Sequence, residues 1–177
     1  TGQTLEGIRQ GIATHHAIAA MNALSAIDSV RALLVGPSAE RVAASLKVPS
    51  RVLPFQRSEA DMARCFHAAD VTLVTSKVEA FGRIAAESQA CATPVVAFGA
   101  DAIPEVVNDG IGGLVVPPED TEALTSALLR MVTEPALRLA SGHAGREHVL
   151  EHFDELGVAD QYLEVYQQVI TTEAAHA

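Results

Sequence analysis

Cysteine is scarce: Cys65 and Cys91 are the two in 177 residues. Both fall in stretches of helical period, which leaves no disulfide framework and no Cys-x-x-Cys or Cys/His spacing for zinc. A reducing, cytoplasmic setting is expected. Basic residues are also in deficit, with 12 Lys plus Arg against 22 Asp plus Glu, a net charge of −10 and a pI near 5.0. That balance offers no electrostatic footprint for DNA, RNA or anionic lipid, so any phosphate ligand must be held locally. Glycine (12) and proline (8) are too few for a collagen-like or disordered chain. No apolar run approaches the ~18 residues of a membrane span, and no basic segment leads into an apolar one as an export signal requires.

The hydrophobic share is 49%, enough for one compact domain with a real core and too little chain for two. Short apolar runs alternate with longer stretches of helical period, the pattern of a parallel sheet with helices on its faces. The expected class is α/β, a Rossmann-like parallel sheet with helices on both faces. Ile8, Ile12, Ile18, Met21 and Leu24 predict a helix over Gly7 to Ser25. Strands are predicted at Ala32 to Val35, Arg51 to Pro54, Val71 to Thr75, Pro94 to Phe98 and Leu114 to Val116. Between them helices are predicted at Ala39 to Leu46, Glu59 to Ala68, Arg83 to Ala90 and Ile103 to Val107. Three terminal helices follow, over Glu119 to Val132, Pro135 to Glu151 and Glu155 to Ile170, each opened by an acidic residue or proline suited to a helix N-terminus. The last carries an apolar face of Tyr162, Val165, Tyr166 and Val169, which is either core or docking surface. Residues 1–170 are read as one domain and 171–177 as a tail. Thr1-Gly2-Gln3-Thr4 reads as the end of an element.

The informative stretch runs from Val71 to Glu87 as strand, loop and helix. Open parallel sheets bind ligands beyond the carboxyl ends of their strands, so this loop and the helix N-terminus after it lie on the ligand edge. The N–H groups around Phe81, Gly82 and Arg83 should point out of the first turn with a partial positive charge, a ready seat for a diphosphate. Gly82 lets the backbone approach closely. Glu79 and Glu87 frame that turn roughly 7 to 10 Å apart at 1.5 Å per helical residue. One carboxylate could take sugar hydroxyls and the other ribose. The plain alternative is a solvated loop acid and a surface helix acid.

The wider string decides between them. Ser76-Lys77-Val78-Glu79-Ala80-Phe81-Gly82-Arg83-Ile84-Ala85-Ala86-Glu87, continuing through Pro94-Val95-Val96, resembles the central signature of retaining GT-B glycosyltransferases of the family-four group. Ile103-Pro104-Glu105-Val106-Val107-Asn108-Asp109-Gly110 and Gly113-Leu114-Val115-Val116-Pro117-Pro118 are similar to its next block. Leu34-Val35-Gly36 and Ala68-Ala69-Asp70-Val71 fit upstream.

This resemblance implies the C-terminal, nucleotide-sugar-binding half of a GT-B fold. It implies that Glu79 contacts the donor sugar as the catalytic residue, that Phe81, Gly82 and Arg83 hold the diphosphate and sugar through main-chain amides, and that Glu87 holds the ribose. Val52 to Phe55 would wall the base. The family's first helix opens with Lys-Gly after an upstream Arg, where this chain has Gln10-Gly11 and Gln3, so Arg9 is the cation expected to assist the phosphates. Ala92 and Ala102 stand where the family commonly has Gly. The donor implied is a nucleotide sugar. The acceptor expected is a sugar, lipid or small molecule held by an absent N-terminal domain or partner subunit, and no nucleic acid is expected. No two Asp lie two apart, so the D-x-D metal motif is missing; neither a cofactor nor a metal is expected. Two rivals remain: a non-catalytic binding or interaction module, and a GT-B-fold nucleotide-sugar epimerase.

Three weaker patterns are read as structural. His148-x-x-Glu151-His152 matches a zinc spacing but lies in a terminal helix away from the ligand edge. Gly110-Ile111-Gly112-Gly113 feeds a strand and opens no helix. Gly36-Pro37-Ser38-Ala39-Glu40 lacks the closing glycine of a nucleophile elbow.

Overall fold

The computed structural model describes residues 13–174. Helix and strand alternate as α1 (Thr14–Ala23), β1 (Ala32–Val35), α2 (Ala39–Ala43), β2 (Ser50–Leu53), α3 (Glu59–His67) and β3 (Thr72–Val74). They continue as α4 (Arg83–Ala90), β4 (Val95–Phe98), α5 (Ile103–Val107) and β5 (Gly113–Val116). The chain then runs helical through α6 (Thr121–Thr133), α7 (Pro135–His152) and α8 (Glu155–Ala174). Every strand pairing is parallel: β1 with β2, and β4 between β3 and β5.

Strand β4 explains why helices cover both faces. Its residues are all apolar, and side chains alternate across a strand, so a continuous apolar run needs a core on each side. Val96 and Phe98 enter one core with Ala20 of α1, Leu24 just past its end, and Leu124, Leu128 and Met131 of α6. Val95 and Ala97 enter the other with Ala85 of α4, Ile103, Val106 and Val107 of α5 and Val149 of α7. Ala32 of β1 belongs to the first core too, so the two hydrogen-bonded sets of strands share one layer of helices.

Boundaries follow capping chemistry. Ser58 accepts from the Asp61 N–H at 3.1 Å and opens α3, and Asp120 accepts from the Ala123 N–H at 2.9 Å and opens α6. That cap moves the start of α6 from the predicted Glu119 to Thr121, because Glu119 lies outside the helix at φ +64°. The predicted tail is helical through Ala174. Tyr162, Val165, Tyr166 and Val169 are all exposed, so among the described residues the apolar face of α8 is no part of the core. The glycine-rich run before β5 serves close packing: a Cβ on Gly113 would sit 1.8 Å from the Val95 carbonyl oxygen. Among the described residues no helix is long and apolar enough to cross a membrane. Both cysteines are free thiols.

Candidate functional site

The carboxyl ends of β3, β4 and β5 open into loops at one edge, and α1 enters at the same edge, with the Ala13 N–H bonded to the Thr75 carbonyl at 2.9 Å. The β3 loop turns into α4 through Gly82, which takes φ +96°. A side chain there would be strained by that angle and would meet Ile103 Cδ1 at 2.9 Å. The first bond of the α4 ladder runs from the Ala86 N–H to the Gly82 carbonyl at 3.0 Å. The N–H groups of Arg83, Ile84 and Ala85 therefore have no intrahelical acceptor to reach.

Glu79 is half-buried and folded back on its own loop. Its Oε1 accepts from the Gly82 N–H at 3.2 Å, and its Oε2 accepts from the Ser76 hydroxyl at 3.1 Å. The Gly82 amide, expected to be open toward a diphosphate, thus already faces an anion. The cause is local: a carboxylate three residues before the N-cap Gly82 reaches the positive end of the helix dipole. Glu87, a turn into α4, pairs with Arg83 Nη2 at 2.8 Å. With Arg83 82% exposed, that pair is worth a few tenths of a kcal/mol and leaves Glu87 easily recruited. The Phe81 ring points away, edge-on to Phe153 with centroids 5.4 Å apart; only its main chain stays with the loop.

The loop after β4 closes over Glu79. Asp101 adopts φ +46°, and its Oδ2 accepts from the Glu79 N–H at 2.9 Å, while the Ala102 N–H approaches the Glu79 carbonyl at 3.4 Å. Ala102, where the sequence reading located the departure from glycine, has an ordinary helical backbone of φ −77°; the left-handed residue is its neighbour. Asp101 and Ser76 are the residues the sequence reading missed. Nothing in the string marks a left-handed Asp, and a serine beside a strand end is too common to single out.

Farther along the edge, Lys77 pairs with Glu119, and the hydrogen bond and charge of that lysine hold the Glu119 carboxyl below its usual range. His16 contacts Thr121 Oγ1 and meets Phe98 edge-on at 5.2 Å. Partial burial, then the neighbouring His15, push its pKa down, with Glu119 opposing and Lys77 adding to the fall. Arg9, Gln10 and Gln3 lie outside the described residues. At the end of β2, Val52 and Leu53 are half-buried and Phe55 is exposed. The zinc-like histidines are otherwise engaged: His148 Nε2 meets the Glu105 carbonyl and His152 Nδ1 the His148 carbonyl, each at 3.0 Å. Among the described residues no group of three His, Cys, Asp or Glu converges as a metal site. A shallow groove lined by Asp70, Thr93, Pro94 and Arg138 lies at the amino edge. Its charged walls are paired, Arg138 to Asp70 at 3.5 Å, and it is remote from the loops that parallel sheets use for ligands.

Residues 9–134 match the family model described as Glycosyl transferases group 1. A D-inositol 3-phosphate glycosyltransferase of Saccharomonospora viridis is 38% identical over 121 residues, 68% of this chain and 28% of that protein. An alpha-maltose-1-phosphate synthase of Mycolicibacterium smegmatis is 42% identical over 108 residues, 58% of this chain and 28% of that protein. The chain thus spans little more than a quarter of these relatives. In three dimensions it is similar to sucrose-phosphate synthase from Thermosynechococcus elongatus (TM-score 0.76, 28% identity), covering 93% of this chain and 43% of that one. It is also similar to the C-terminal domain of a glycosyl transferase group 1 family protein from Francisella tularensis (TM-score 0.69, 22% identity, 80% of each chain). The chain belongs to the group 1 glycosyl transferases and has the Rossmann-like fold of the C-terminal half of a GT-B enzyme.

Proposed function

We propose that this chain is the nucleotide-sugar-binding C-terminal domain of a retaining glycosyltransferase that transfers a hexosyl group to an acceptor hydroxyl. One observation carries the reading: on the carboxyl edge of a parallel sheet, Glu79 is anchored at the N-terminus of α4 with Glu87 a turn further on. The unpaired first-turn amides take the diphosphate, Glu79 the donor sugar and Glu87 the ribose. In the reaction the bond between the anomeric carbon and the diphosphate oxygen breaks, and the departing charge meets the amides and the helix dipole. The acceptor hydroxyl attacks from the same face and its proton leaves with the diphosphate, so no side chain of this chain acts as base. Membership of a family that includes named glycosyltransferases supports the same assignment.

The acceptor belongs to a second domain or subunit, and the exposed apolar face of α8 is the surface that docks on it. A calorimetric panel of UDP, GDP, ADP and their glucose conjugates, run with and without EDTA, tests the reading. Binding that persists in chelator is expected, because amides and dipole do the work of a metal. Strict magnesium dependence, or no binding across the panel, would overturn it. The 177-residue chain is expected to bind donor without transferring sugar; turnover by the chain alone would contradict the assignment of the acceptor elsewhere.

A further inference from the structure

We infer that Asp101 is a positioning residue for Glu79, and that it sets how strongly the site prefers a sugar-bearing nucleotide over the bare diphosphate. The inference rests on the proposed sugar contact of Glu79 and deepens it.

Four contacts define where Glu79 sits. Its carboxylate is tied within its own loop, to Ser76 and Gly82. Its main chain is tied to the loop after β4, with its N–H on Asp101 Oδ2 at 2.9 Å and its carbonyl facing the Ala102 N–H at 3.4 Å. The second of these is long and weak. The first is a charge-assisted bond of good length, so Asp101 is the main restraint from outside the loop. Asp101 makes it from φ +46°, a conformation that costs an L-residue free energy and that Asp tolerates because its short side chain can bond nearby backbone. The next residue but one, Ile103, is fully buried and abuts Gly82, leaving no space for a Cβ there. The 101–103 segment therefore touches both ends of the 79–82 turn: a carboxylate at its start and an apolar side chain at its close. If the Glu79 backbone is released at its N–H, the carboxylate keeps its partners at Ser76 and Gly82 but loses its fixed height above the sheet edge. Contacts with the sugar depend on that height; contacts of the first-turn amides with the diphosphate do not.

The experiment compares Asp101→Gly, which removes the carboxylate and relieves the backbone, with Asp101→Asn, which keeps an acceptor and removes the charge. Both are made in the full chain and titrated with UDP, GDP, ADP and the glucose conjugate of each. For whichever nucleotide binds the wild type, the ratio of conjugate to bare-nucleotide affinity is expected to fall about tenfold in Asp101→Gly and to hold in Asp101→Asn, in keeping with one charge-assisted bond lost or replaced. Bare-nucleotide affinity and Tm should not fall. In a Glu79→Gln background the effect of Asp101→Gly should vanish, since Asp101 acts through Glu79. A ligand-free readout runs alongside: the Glu79 amide should be protected from hydrogen exchange in wild type and Asp101→Asn, and exposed in Asp101→Gly. Loss of the ratio in both variants alike, an unchanged ratio in Asp101→Gly, or a persistent effect without Glu79 would overturn the positioning role alone. A wild type that binds none of the six probes would overturn the donor-site reading and this inference with it.

Discussion

The carboxylate of Glu79 accepts a hydrogen bond from the N–H of Gly82 at 3.2 Å, so the positive end of α4 already holds an anion of the protein's own. On the proposed reading, the amides of Arg83, Ile84 and Ala85, the first without an intrahelical partner, are those offered to a diphosphate.

Glu79→Gln keeps an acceptor for the Gly82 amide and removes the charge. Affinity for a bare nucleoside diphosphate should stay within about twofold, and affinity for the nucleotide sugar should drop about tenfold, the worth of a charge-assisted bond to a hydroxyl. Calorimetry with matched ligand pairs reads this directly; equal losses for both ligands would refute the sugar contact.

Glu87→Ala should weaken nucleoside diphosphate binding by about 1 to 3 kcal/mol, because the ribose hydroxyls lose a charged acceptor. Arg83→Ala, which removes only an exposed helical pair, should leave stability within about 0.5 kcal/mol. If Glu87→Ala binds nucleotide like the wild type, Glu87 is a surface acid and the ribose lies elsewhere.

Packing of α7 on α4 and the turn after it depends on missing side chains at Gly142 and Gly145. A Cβ on Gly142 would stand 2.2 Å from the Ala92 carbonyl oxygen, so Gly142→Ala should cost about 1 to 3 kcal/mol as an overpacked contact between backbones. Ala92 itself has φ +58°, and Ala92→Gly should stabilise by about 1 kcal/mol through relief of that strain. Urea midpoints of the two variants should move in opposite directions.

His16 makes stability depend on pH near neutrality. Its pKa in the folded state is depressed below the ordinary 6.5 by burial, then by His15, so between the two values the unfolded chain binds the extra proton. Stability is full above pH ~6.5 and falls as pH drops from there toward the folded-state value. Glu119 and Asp61, whose carboxyls are held low by Lys77 and by Ser58 with Arg64, lose their contribution only at more acid pH. Thermal melts from pH 7.5 to 5.5 should slope downward in the wild type and less so in His16→Gln. Identical slopes would show that other groups set the dependence.

Much of the fold was legible because its causes are local or periodic. The unbroken apolar run at Val95–Phe98 can satisfy both of its faces only between two helical layers, and it is buried in both cores. The strand–loop–helix around Glu79 and Glu87 was equally readable from spacing. Helix ends were less so: Asp120 caps α6 and Thr121 begins it in place of Glu119, since the cap depends on which acid can fold onto the Ala123 amide.

The sequence by itself determined the class of fold and put Glu79 and Glu87 in one strand–loop–helix on the carboxyl edge of the sheet, because both follow from side-chain period; reading that pair as a donor site came from the family resemblance. Tertiary structure alone decided what those groups touch. It seated the Glu79 carboxylate on Gly82 and turned the Phe81 ring onto Phe153. It also made Asp101, an unremarked acid 22 residues downstream, the partner of the Glu79 amide. That last contact joins the loops of two adjacent parallel strands, and its register is set by the β3–β4 pairing. No period or motif within either loop encodes a distance between them.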